Sequence, residues 1–385
     1  MFRIPGVIPV YIASIFGRLP NGALSLVLLL RTREMTGSYA AGGVVAAASG
    51  LALGVSSPVL GRLIDRRGQR QVLLLSCLAS TAALAGFAAL PDDTPLAVAI
   101  LVATLAGAST PPLNSCLRAL LAAVIPPELR HRAFAIDSTM FELVYISGPL
   151  MLVGVIGAWS LRAAVASCAV LTFVGTVVFA STRLSRAITG TPASPHDIAG
   201  PLRHPGVQTL LTSVLLFGLA IAGLEVGLAA FAEHEGHTNA VGYLLGLSGV
   251  GSMVGGLVAA RTRPPADPAR RLAVLLLGLA VLEVPLGIVG SLPAMAVAVT
   301  VAGFGIAPSL ALTFQLTSEV APTGTVTEAM TWLTSAIAGG LAAGSALAGW
   351  LVEHTGTTPV LFTVAVYGAV AAAVVASRTA GLATT

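Results

Sequence analysis

Runs of about twenty mostly apolar residues, closed by short polar joints, decide most of what this chain can fold into. Twelve can be traced, at roughly 8–30, 39–60, 71–90, 95–123, 133–155, 159–180, 207–231, 239–260, 271–291, 293–317, 325–350 and 357–377. Each is long enough to cross the hydrocarbon core of a bilayer as an α-helix. Within that core every backbone N–H and C=O must be satisfied inside the segment, which selects helices over open strands. The charge content agrees: 9% of residues are charged, against roughly 25% in ordinary soluble domains. The expectation is an all-α membrane protein of twelve transmembrane helices.

The joints carry loop chemistry, as in Pro91-Asp92-Asp93, Pro126-Pro127-Glu128 and Arg263-Pro264-Pro265. The longest polar connection, Ser181 to Gly206, holds Arg183, Arg186, His196, Asp197, Arg203 and His204. Six runs precede it and six follow. The expected division is an N-terminal six-helix bundle (1–180), a cytoplasmic central loop (181–206) and a C-terminal six-helix bundle (207–385). Short matches tie the halves together: Ile15-Phe16-Gly17 resembles Leu216-Phe217-Gly218, and Gly22 matches Gly223 at the same offset. Two similar six-span repeats are a recurring transporter plan.

All basic residues are arginine; the chain has no lysine. Counting them loop by loop sets the orientation. With the N-terminus inside, Arg3, Arg62, Arg66, Arg67, Arg70, Arg130, Arg132, Arg183, Arg186, Arg203, Arg261, Arg263, Arg270, Arg271 and Arg378 fall on the cytoplasmic side. Only Arg31, Arg33 and Arg162 fall outside. The positive-inside rule then places both termini in the cytoplasm of a multi-pass protein of the cell inner (plasma) membrane. The net charge of +4 therefore reads as topology and not as a nucleic-acid surface. Without lysine no phosphate-binding G-x-x-x-x-G-K-[ST] loop exists, so ATP hydrolysis by this chain is excluded. Cys77, Cys116 and Cys168 lie inside apolar runs with no metal-ligand spacing. They read as small buried hydrophobes, and neither a metal nor a cofactor is expected.

One stretch is specific. Gly61-Arg62-Leu63-Ile64-Asp65-Arg66-Arg67-Gly68-Gln69-Arg70 lies between the second and third runs. It resembles the signature loop of the major facilitator superfamily, G-x-L-x-D-R-x-G-R-[RK]. Gly61, Leu63, Asp65, Arg66, Gly68 and Arg70 match, and Gln69 departs from it. The resemblance implies the major facilitator fold and a conformational latch built from Gly61, Asp65, Arg66, Gly68 and Arg70, with Arg118 a further partner for Asp65. The second-half loop, Ala260-Arg261-Thr262-Arg263-Pro264, lacks the aspartate and the following glycine. Gly148-Pro149 in the fifth run partly matches a helix-kink pattern of the family's efflux members. Ala103 stands where many proton-coupled exporters carry an arginine.

Ionisable groups within the runs are costly in hydrocarbon, so each is a candidate for function. In the first half these are Arg18, Asp137 and Glu142, with an Arg18–Glu142 pair expected; in the second half they are Glu225 and Glu283. Asn21, Asn114 and Gln315 are candidate substrate contacts, with interhelical hydrogen bonds the equal alternative. Glu319, Glu328 and Glu353 fall near run ends and are expected in water. Glu233-His234-Glu235-Gly236-His237 reads as a solvated outside turn, and the histidines as loop residues.

The leading reading is a secondary active transporter, not an enzyme, working by alternating access as a monomer. Its expected activity is proton-coupled efflux of a small amphipathic or drug-like molecule, with substrate, protons and the lipid bilayer as partners. The runner-up is a proton-coupled importer or facilitator of sugars or organic acids. A non-transporting scaffold or sensor is the reading from another class.

Overall fold

A computed structural model describes residues 4–190, 200–237 and 240–382. Arg3, His196 and Asp197 lie outside the described residues. Those described form helices and their connections, with no strand.

The helices are α1 (Val7–Arg18), α2 (Leu24–Thr36), α3 (Tyr39–Arg67), α4 (Gln69–Ala89), α5 (Leu96–Ala108), α6 (Leu113–Val124), α7 (Pro127–Ala158), α8 (Leu161–Ser181), α9 (Arg183–Ala187), α10 (Pro205–His234), α11 (Ala240–Arg261), α12 (Pro268–Glu283), α13 (Leu292–Gly303), α14 (Ile306–Val320), α15 (Val326–Thr355) and α16 (Thr357–Ser377). Four expected spans contain breaks. The first is α1 and α2 joined by a 3₁₀ turn, Leu19–Gly22, with a 41° bend. The fourth is α5 and α6 around Pro111-Pro112, and the tenth is α13 and α14. The run at 271–291 is the 16-residue α12 continued by a 3₁₀ turn, Val284–Gly287. Proline removes a helical donor and crowds the preceding turn, so three of these breaks coincide with Pro20, Pro111-Pro112 and Pro285. Among the described residues, 10 helices are long and apolar enough to cross a membrane, or 11 with the bent first pair. The expected twelfth is the shorter α12.

The chain divides into two compact units. The first holds Met1–Val124, Leu143–Ile198 and Thr323–Thr331; the second holds Ile125–Glu142, Ala199–Pro322 and Trp332–Thr385. The first half of α7 belongs to the second unit, and the start of α15 belongs to the first.

In the first unit α1 packs on α8, α3 on α2 and α5, and α4 on α8. Its apolar core includes Val27, Leu28, Leu84, Phe87, Ala103, Val165 and Cys168. A methyl group on Gly175 would overlap the Gly17 backbone, so this glycine pair sets how closely α1 and α8 approach. In the second unit α16 packs on α10 and α12, and α11 on α13 and α14. Leu228, Phe231, Leu286, Met295, Val299 and Val364 are part of its core. Leu51, Val55 and Val59 stand exposed at helical spacing along α3, an apolar stripe suited to lipid rather than water.

Candidate functional site

The signature stretch is helical almost throughout. Helix α3 continues to Arg67 and is ended by Gly68, whose φ of 91° suits glycine alone among common residues. Helical phase then sorts the side chains. Gly61, Arg62 and Asp65 share one face, turned to the start of α15 within the first unit. A methyl on Gly61 would lie 3.0 Å from Glu328 Cα, so only glycine lets the helices come this close. Asp65 accepts from the backbone N–H of Thr327 (3.2 Å) and of Glu328 (2.8 Å). These are otherwise unpaired donors of the first turn of α15, where the helix dipole also favours an anion. Arg62 then grips the side chain of Glu328, with Nη2 2.5 Å from Oε1 and Nε 3.1 Å from Oε2.

This corrects one expectation, that of Glu328 in water. Arg66 and Arg70 face outward and are exposed; Arg62 supplies the cation. Glu328 is buried (3% exposed) and not in water. Arg118 is buried on α6 in the same unit.

The break in the first span carries the next candidates. Arg18 ends α1, is 1% exposed, and donates through Nε to Asn114 Oδ1 on α6. Asn21 sits half-buried in the 3₁₀ turn. Beyond it, Gly22 and Gly148 bring the turn and α7 together: a methyl on Gly148 would lie 2.7 Å from the Leu19 carbonyl oxygen, and one on Gly22 would lie 3.0 Å from that of Val144. Pro149 is inside α7, which remains helical through it.

In the second unit, the first half of α7 runs antiparallel to α11 along three points. Glu142 Oε1 accepts from Ser252 Oγ at 2.8 Å, and Ser252 Oγ in turn accepts from the N–H of Ala307 at the start of α14 (3.2 Å). Gly256 leaves room for Thr139. His131 Nε2 lies 3.1 Å from the Ala259 carbonyl oxygen and 3.2 Å from Thr262 Oγ1. Arg18 and Glu142 fall in different units, and the partners recorded for them are Asn114 and Ser252. His131, expected in a loop, is buried in α7 and joins the site.

Asp137 is fully buried on α7. Glu225 is exposed along α10. Glu283, at the end of α12, is 3% exposed, and its Oε2 has no hydrogen-bond partner. A methyl on Gly368 would lie 3.3 Å from that oxygen, so α16 covers the carboxylate. At the far end of the first unit, Asp92 bridges Arg31 (2.7 Å) and Arg162 (2.8 Å). These are two of the three arginines assigned outside by the sequence. Among the described residues no His, Cys, Asp and Glu group is arranged to hold a metal ion.

Comparisons with known proteins agree with this architecture. The family model described as Major Facilitator Superfamily matches residues 4–322. The MFS-type transporter y4rN of Sinorhizobium fredii is 26% identical over 279 residues, covering 67% of this chain and 66% of that protein. The multidrug resistance protein MdtG of Erwinia billingiae is 27% identical over 171 residues, covering 43% of this chain and 41% of that protein. The chain thus spans just under two thirds of the first relative and about two fifths of the second. Among solved structures, the human organic anion transporter MFSD10 superposes with a TM-score of 0.77 at 19% identity, over 96% of this chain and 98% of that one. The proton:xylose symporter XylE gives 0.71 at 15% identity, over 97% and 96%. At these identities the structural likeness establishes the fold.

Proposed function

The chain belongs to the major facilitator superfamily of membrane transporters, and we propose on that footing that it exports a small amphipathic or drug-like molecule against inward proton flow. The observation that carries this reading is Glu142. It is a carboxylate in the middle of α7, at the residue where that helix passes from the second unit to the first, and its recorded partner is the Ser252 hydroxyl. A carboxylate held by one hydroxyl and not by an arginine can take up and give back a proton without leaving a buried cation stranded. Exposed Glu225 on α10 is the second carrier. Arg18, Asn21 and Asn114 lie at or beside the break in the first span; Asp137 and Glu283 complete the set of embedded charges.

Gly61, Arg62, Asp65 and Glu328 form the latch in this reading, and Gly148-Pro149 the point where α7 meets the broken span. Similarity to a multidrug resistance protein supports efflux over uptake. The protein acts as a monomer in the cell inner membrane with both termini cytoplasmic, so that the arginine-rich loops face the cytoplasm.

Purified protein in liposomes under an imposed pH gradient tests the reading, with drug-like cations, neutral drugs and sugars as solutes. Gradient-driven flux of a drug-like solute, lost in Glu142→Gln or Glu225→Gln, is the expected result. Flux indifferent to the gradient would make the protein a facilitator and the carboxylates structural. Gradient-driven sugar uptake would make it an importer.

A further inference from the structure

The seam between α7 and α11 contains a chain of groups that lacks one hydrogen. Thr262 Oγ1 donates to the Ala259 carbonyl at 2.8 Å. Its lone pairs and that carbonyl are then both acceptors toward His131 Nε2, at 3.2 and 3.1 Å. Nε2 must therefore carry the ring proton, which leaves Nδ1 of a neutral ring as an acceptor. Nδ1 is buried and has no partner. Gln315 on α14 lies against the same imidazole. Its Nε2 donates to Glu319 Oε1 at 3.0 Å, which fixes the orientation of the amide. Its Oε1 is buried and also has no partner. Two unsatisfied acceptors thus share one buried place, an arrangement that proteins rarely leave standing.

We propose that His131, Gln315 and Glu319 form a proton-binding site separate from the membrane carboxylates. A second proton on the ring, at Nδ1, donates to Gln315 Oε1 and satisfies both orphaned atoms together. The new positive charge is balanced through the Gln315 amide by the Glu319 carboxylate. Burial opposes the charged ring most, with smaller contributions from Arg271 on α12 and Arg132 on the same helix, and holds its proton affinity below the ordinary histidine value; both arginines are exposed, where solvent screens them. Arg261 at the end of α11 is exposed as well. The Nε2 contacts to α11 persist in both states, and the proton adds a contact to α14. Acidification therefore fastens the first half of α7 more firmly into the second unit, and loss of the proton loosens it. Histidine suits this because its ordinary titration falls between about pH 5 and 8.

The test uses the full chain in lipid nanodiscs with ring-labelled histidine, followed by nitrogen NMR. Of the 6 histidines, His131 is the signal lost in His131→Gln. The ring is expected to gain its second proton below the ordinary histidine midpoint of about 6.5, because burial opposes its charge. In Glu319→Gln its proton affinity should fall roughly tenfold, one pK unit, as the balancing charge is removed. Gln315→Leu should lower it too. Hydrogen exchange of 125–142 should be slower at pH 6 than at pH 8, and that difference should disappear in Glu319→Gln. A ring that keeps one proton across the range, or an affinity unmoved in both Glu319→Gln and Gln315→Leu, would overturn the proposal. So would an exchange difference that persists in Glu319→Gln. No readout needs a transported solute, so the test stands apart from the export reading.

Discussion

Two antiparallel seams invite comparison, α3 with the start of α15 in the first unit and α11 with the first half of α7 in the second. Both use a glycine to admit a threonine-bearing neighbour: Gly61 stands against Thr331, and Gly256 against Thr139. Beyond that they diverge. The α3 seam is ionic: a carboxylate caps a helix start and a guanidinium holds a buried glutamate. The α11 seam is built on neutral hydrogen bonds from Ser252 and a histidine. The α3 seam thus holds its helix with a helix-start cap and an ion pair, whereas the α11 seam uses a hydroxyl and an imidazole. A shared glycine–threonine contact does not oblige two seams to use the same chemistry.

Removing a charge should separate the seams most clearly. Arg62→Ala strands Glu328, which is 4% exposed on its side chain. It should cost about 3 kcal/mol, at the low end for a broken buried pair because Arg62 itself is partly solvated. Reversible unfolding in mixed micelles measures this. Arg66→Ala and Arg70→Ala should each stay within about 0.5 kcal/mol. Equal losses in all three would mean that helix phase does not select the cation.

Asp65→Ala leaves the first turn of α15 uncapped. The expected cost is about 1–2 kcal/mol, with more than a tenfold loss of transport if the seam is the latch, and Asp65→Asn should recover part of the stability. In the neutral seam, Thr262→Ala removes one acceptor from His131 and should cost about 1 kcal/mol. A larger loss there than at Asp65 would reverse the ranking of the two seams.

The smallest effect belongs to Asp92, which is exposed and lies far from both seams. Arg162 and then Arg31 hold its carboxyl below the usual carboxylate range. A depressed carboxyl stabilises the fold above its unfolded value, near 3.9, and that contribution disappears as pH falls through the folded value. Asp92→Asn should therefore lower the melting temperature slightly at pH 6, and this difference should shrink on acidification below about pH 4. A difference that grew in acid would contradict the assignment.

The spans were legible because hydrocarbon imposes a length and a composition, and proline marked three of the four breaks. Gly61, Asp65 and Gly68 stood out by their motif. The misplaced residues share one cause. Apolar runs end where the membrane ends, but helices continue: α3 extends to Arg67 past a run ending near 60, and α7 begins at Pro127 ahead of one starting near 133. In those extensions the face a side chain presents is set by the 3.6-residue period and not by hydropathy. Arg62 was thus indistinguishable from Arg66 and Arg70, and His131 read as a loop residue. Glu328 looked solvated because its partner is 266 positions away. No feature of the sequence assigns the first half of α7 to the second unit.

That assignment has a consequence for synthesis. Residues 125–142 leave the ribosome well before the helices they belong with, and 323–331 emerge long after theirs. On this grouping the first six spans lack the contacts of 323–331, and the first half of α7 lacks those of the later helices. A gene cut in the central loop should yield two fragments that are each degraded when made alone, and that recover only when produced together.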